Sequence, residues 1–139
     1  MASVDDLAGV PLFQPLSDDQ LKELAGWFDI QSVGEGISVL GEGQTGYSFY
    51  VLIDGSAVVT VDDVTVADYE PGDFFGEMAI LGQGRRSATV TTTSPSRFLV
   101  MFGTDFRQLQ QLHPAIAATL EQAMQQRQDE LAQLRPQSE

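Results

Sequence analysis

Between Asp29 and Phe102 glycine cuts the chain into short β-rich runs, and this punctuation limits the possible folds more than any other feature. The runs are Asp29 to Val33, Ile37 to Leu40, Tyr47 to Ile53, Ala57 to Val61, Val64 to Tyr69, Ala88 to Thr93 and Phe98 to Phe102. Gly34, Gly36, Gly41, Gly43, Gly46, Gly55 and Gly72 mark the turns. Many short strands at regular spacing with glycine turns predict a β-barrel or sandwich. Tyr47 to Ile53 is apolar on both faces, which predicts a strand buried on both sides. Asp62-Asp63, between two Val-Thr runs, predicts a tight hairpin turn.

Helical patterns bracket this region. The first 28 residues predict two short helices. In Ser17-Asp18-Asp19-Gln20 the Ser17 hydroxyl can take the Gln20 amide while Gln20 reaches back. Leu21, Leu24, Ala25 and Phe28 follow on one apolar face. After the strands, Thr104 can cap a helix carrying Phe106, Leu109 and Leu112. Pro114 suits the first position of a second helix, because its missing N–H would have no helical partner there. That helix should run to about Arg135, where Pro136 stops it. The expectation is one domain: helices in 1–28, strands in 29–103, helices in 104–135 and a tail in 136–139.

Composition narrows the function. A net charge of −13 and a pI near 4.1 repel phosphate backbones and anionic lipid, so neither nucleic acid nor membrane is an expected partner. No apolar run approaches the roughly 20 residues of a membrane span, and the N-terminus lacks the pattern of a signal peptide. The absence of cysteine excludes disulfides and thiolate metal sites, and a cytoplasmic location is expected. No Ser-His-Asp or Cys-His set is present, and one histidine is too few for a nitrogen-ligated metal enzyme. His113, before Pro114, reads as a helix-junction residue. The protein is therefore not expected to be an enzyme, and no cofactor or metal is expected.

Against this acidic background, Gly76-Glu77-Met78-Ala79-Ile80-Leu81-Gly82-Gln83-Gly84-Arg85-Arg86-Ser87 places two of the seven basic side chains side by side. A short helix starting near Gly76 offers unpaired backbone N–H groups to an anion. Arg86 adds a fork that matches two phosphate oxygens, and Ser87 adds a hydroxyl. Glu77 would repel a bare phosphate, but as an acceptor for sugar hydroxyls it fits a phosphate joined to ribose. The alternative is a surface pair between Glu77 and Arg86, which contributes at most about 1 kcal/mol. The glycines, the short helix and the following strand favour the ligand.

Pro71 to Leu81 followed by Arg86-Ser87-Ala88-Thr89-Val90 closely resembles the phosphate-binding cassette of cyclic nucleotide-binding domains, here residues 72–90. Such domains occur in bacterial cAMP receptor proteins, cyclic nucleotide-dependent kinases and nucleotide-gated channels. Gly41 to Gly55 resembles the family's hairpin before the cassette, and the similarity continues through Phe106-Arg107-Gln108-Leu109. It covers about residues 10 to 135.

The resemblance implies a mainly β fold, an eight-stranded antiparallel β-roll of jelly-roll type with N-terminal helices, a short cassette helix and a long C-terminal helix. It implies that Glu77 and Gly76 hold the ribose, and that Arg86, Ser87, Met78 and Ala79 hold the phosphate. Val58, Val66 and Ala67 are the candidates for the wall around the base. Serine at position 87 resembles the bacterial cAMP receptors, so cAMP is the expected ligand, with cGMP as the alternative. By register, Leu131 and Ala132 stand where those receptors place polar groups over the base, which leaves Leu131 as a candidate apolar lid. Arg85 is a departure from the family pattern and is expected to face solvent.

The expected function is a cyclic nucleotide receptor that couples binding to movement of its C-terminal helices. The rival is a module of the same fold that dimerises and binds no nucleotide. Ile116, Leu120, Met124, Arg127, Leu131 and Leu134 form a seam of coiled-coil spacing within 115–135. That seam predicts either a homodimer or packing on the chain's own β-roll. No helix-turn-helix follows residue 135, so the output is expected through an effector protein or an effector domain outside this sequence.

Overall fold

The computed structural model describes residues 2–40, 48–76 and 89–134. Helix α1 (Val4–Ala8), a 3₁₀ turn (Pro11–Phe13) and helix α2 (Asp18–Ala25) come first. The strands are β1 (Asp29–Val33), β2 (Ser38–Leu40), β3 (Ser48–Asp54), β4 (Ala57–Val61), β5 (Val64–Tyr69), β6 (Phe74–Phe75), β7 (Thr89–Thr92) and β8 (Ser96–Phe102). Helices α3 (Gly103–Leu112) and α4 (Pro114–Leu134) follow. The strands form two four-stranded sheets, β1-β8-β3-β6 and β2-β7-β4-β5, and every pairing is antiparallel. This is the eight-stranded roll with flanking helices.

The layers follow from the side-chain period of two along a strand. On β3, Phe49 and Val51 face the helices and join Leu99 and Met101 of β8 in a core with Leu24, Phe28, Phe106, Leu109 and Leu120. Tyr50 and Leu52 face the other way, into the roll, with Val59, Phe75, Val90 and Phe98. Strand β3 is therefore covered on both faces, as the apolar run Tyr47 to Ile53 predicts for its described part.

Local chemistry sets the ends of the elements. The Ser17 hydroxyl accepts from the Gln20 amide at 3.2 Å, and the Ser17 amide donates to Gln20 Oε1 at 3.0 Å. In the β4–β5 hairpin Asp62 and Asp63 have φ of 51° and 65°. Both are left-handed, the twist a two-residue turn needs to match its strands. At the N-terminus Asp6 accepts from the amide and the hydroxyl of Ser3 and lies 3.7 Å from Arg97 Nη2. The Ser3 amide bond chiefly lowers the Asp6 carboxyl pKa; partial burial opposes this, and the Ser3 hydroxyl and Arg97 add to the lowering.

The two expected N-terminal helices are present, with a 3₁₀ turn added between them. Two expectations are corrected. Thr104 does not cap α3: Phe102 occupies the N-cap, already extended at φ −76°, ψ 152° as the last residue of β8. The helix therefore starts directly from the strand, and Thr104 lies inside its first turn. Finally, β6 is an eighth strand of only two residues, formed where Phe74-Phe75 pairs with Tyr50 and Val51.

The predicted seam on α4 divides. Ile116, Leu120 and Met124 are buried with Ala117 in the chain's own helical core, so this half packs within one molecule. The side chains of 127–134, including Arg127, Leu131 and Leu134, lie outside the described residues.

Candidate ligand site

The site is built from the turn that opens the cassette. Glu70-Pro71-Gly72-Asp73 closes as a turn in which the Asp73 amide donates to the Glu70 carbonyl at 3.0 Å. Gly72 has φ +103°, the left-handed position that such a turn reserves for glycine after proline. The Asp73 carboxylate accepts from the Glu70 amide at 2.8 Å. Leu52 of β3 then grips both sides of the turn: its amide donates to the Asp73 carbonyl at 2.9 Å, and its carbonyl accepts from the Gly72 amide at 2.8 Å.

Phe75 continues this anchoring into the roll. Its ring stacks between Tyr50 at 5.0 Å and Tyr69 at 5.3 Å, and meets Phe98 edge-on at 5.7 Å. Aromatic contacts of this kind add about 0.5–1.5 kcal/mol each beyond area burial. Gly76, the next residue, is buried and left-handed at φ +78°. A side chain there would be strained, so glycine lets the backbone turn inside the roll at the start of the cassette.

The far end is fixed in the same manner on the second sheet. Val90 packs against the roll core. Thr92, 1% exposed, accepts from the Ile37 amide at 2.9 Å through its hydroxyl and donates to the Gly34 carbonyl at 2.6 Å. Residues 77–88 therefore join an anchored turn on the first sheet to an anchored strand on the second. Glu77, Met78, Ala79, Arg85, Arg86 and Ser87 all lie outside the described residues.

Strand register sorts the candidates for the base wall. Val59 pairs with Ala67 and Val90, and Val58 pairs with Asp68 and Thr91. Val59 is 6% exposed and faces the roll, so Val58 sits on the outer face of the second sheet. Ala67 shares the inner face with Val59 and yet is exposed. Val66 lies at the register shift of β5 and is 59% exposed. Ala57-Val58-Val59 is apolar throughout, so no alternation in the sequence marks Val59, rather than Val58, as the inward residue. Leu131 lies on the last turns of α4, whose side chains are not among those described.

Among the described residues no group of three or more His, Asp or Glu could hold a metal ion. No described helix is long and apolar enough to cross a membrane.

The model of the cyclic nucleotide-binding domain family matches residues 30–113, more than half of the chain. The chain belongs to the cyclic nucleotide-binding domain family. It is 33% identical over 107 residues to a cAMP-dependent protein kinase regulatory subunit of Colletotrichum orbiculare, covering 76% of this chain and 27% of the relative. It is 32% identical over 114 residues to a cyclic nucleotide-gated potassium channel of Rhizobium etli, covering 82% of this chain and 32% of the relative. The chain thus spans about a third or less of these relatives. In fold it is similar to the N-terminal domain of a transcriptional regulator from Streptomyces coelicolor A3(2), with a TM-score of 0.79 and 24% identity over 96% of this chain and 99% of that one.

Proposed function

We propose that the chain is a non-catalytic receptor domain for a cyclic nucleotide, cAMP in preference to cGMP, which couples binding to its C-terminal helices. The observation that carries this reading is the intact sequence Gly76-Glu77…Arg86-Ser87 inside the family match, entered through a buried left-handed Gly76. In this reading Arg86 takes the phosphate oxygens bidentately, with Ser87 and the amides of Met78 and Ala79 completing the cradle. Glu77 and Gly76 hold the ribose. Val59, Ala67 and Val66 line the base, with Val59 replacing Val58, and Leu131 serves as an apolar lid.

The relatives support a regulatory role, since one is a kinase regulatory subunit and another a gated channel. The output partner is an effector protein or a further domain outside this sequence. A homodimer through 115–135 is restricted to the distal half of the helix, because Ile116, Leu120 and Met124 are buried within the chain. A cytoplasmic location belongs to the same proposal and rests on composition.

Titration calorimetry with cAMP and with cGMP tests the reading. Saturable heat is expected with both and tighter binding with cAMP. Absence of heat at millimolar concentrations of either nucleotide favours the rival, a structural module that binds none.

A further inference from the structure

Helices α3 and α4 are joined by one residue. His113 has φ −138° and ψ 67°, outside the helical region, as the residue before a proline tends to be. Pro114 then opens α4 without an N–H. The His113 amide still donates to the Leu109 carbonyl at 2.7 Å, and its carbonyl accepts from the Ala117 amide at 3.1 Å. Both helices are thus tied to this residue, and any change in their mutual angle must pass through its two backbone torsions.

The side chain of this hinge residue is held by the N-terminal layer. His113 Nε2 lies 3.1 Å from Glu23 Oε2, and the same oxygen accepts from Trp27 Nε1 at 3.1 Å. The indole and imidazole rings meet edge-on with centroids 6.4 Å apart. Glu23 projects from the last turns of α2, and Trp27 lies just beyond its end. One carboxylate oxygen therefore lies 3.1 Å from two ring nitrogens, one from beside α2 and one from the joint. The His113 side chain is 37% exposed and that of Glu23 44%, so the cluster sits at the rim of the helical core, where it can form and break without exposing the interior.

We propose that Glu23, Trp27 and His113 form a clamp that sets the angle between α3 and α4 by fixing the side chain of the hinge residue to the N-terminal helix. The clamp makes α2 the reference against which the C-terminal helices are positioned. Its bearing on the ligand response rests on the receptor reading above, but the angle itself does not require a ligand.

Because the chain has no cysteine, Gln108→Cys with Gln122→Cys places one spin label on α3, one on α4 and none elsewhere. Both glutamines are exposed. Pulsed electron paramagnetic resonance on the doubly labelled chain without nucleotide is expected to give one narrow distance distribution. Adding Glu23→Ala or His113→Ala is expected to broaden it and move its mean by about 2 Å, the size of shift seen when packed helices slide. His113→Gln, whose amide can still donate to Glu23, is expected to restore the narrow distribution.

Alanine variants that keep native circular dichroism and the parental distribution would overturn the clamp, as would His113→Gln behaving like His113→Ala. If an alanine variant fails to fold, Glu23→Met takes its place, keeping the aliphatic stem and removing the acceptor oxygen: a broadened distribution supports the clamp and an unchanged one overturns it. Calorimetry on the unlabelled chain reports nucleotide binding separately, so a failed receptor reading and a failed clamp give different results.

Discussion

Strands β3 and β5 are similar in length and each pairs antiparallel with its neighbours, yet they have opposite surroundings. β3 lies between two cores, with Phe49, Val51 and Leu52 fully buried. β5 is the edge of the second sheet, and Val64 to Asp68 are all exposed. The difference separates two tasks within one roll. The first sheet welds helices to barrel and holds the turn that opens the cassette through Leu52. The second sheet leaves part of its inner face, at Ala67, accessible beside the place where the cassette returns to Val90.

The largest expected effect probes the welded side. Phe49→Ala should cost about 3–5 kcal/mol of folding stability, since it empties a fully buried ring site between sheet and helices. Urea unfolding followed by circular dichroism checks this, and a loss below about 1 kcal/mol would remove the contrast. Next comes Arg86→Ala, which should weaken cAMP binding by about 2–5 kcal/mol if its charge pair with phosphate is desolvated. Near-native affinity by calorimetry would place the phosphate elsewhere. The smallest is Val66→Thr, expected to change stability by less than about 0.5 kcal/mol because the side chain is largely in solvent. The same variant should still alter nucleotide affinity if Val66 touches the base; an unchanged affinity would exclude Val66 from the wall.

Much of this contrast is visible in the sequence. Apolar residues at every position of Tyr50 to Ile53 announce a strand with two buried faces, and Asp62-Asp63 announces the hairpin. What escaped depends on distant partners. Phe74-Phe75 is too short to show a period, and becomes a strand only because β3 lies beside it. Thr104 has good capping chemistry, but a helix that springs from a strand takes its cap from the strand's last residue. Val58 and Val59 are the same residue type, so their identity alone does not tell which faces in; the register with Ala67 and Val90 decides. Glu77 and Arg86 are candidates by residue type and spacing and lie outside the described residues, whereas the aromatic stack on Phe75 depends on rings from three separate strands.

The single-residue joint at His113 has a mechanical consequence. Helix α4 has 21 residues, a rod about 30 Å long. A swing of about 5° at its base moves Met124 by only about 1 Å, within what packed helices accommodate by sliding. The same swing carries the far end about 3 Å. The helix is thus a lever whose short arm stays in the core while its long arm magnifies the motion into a displacement that a partner surface can read.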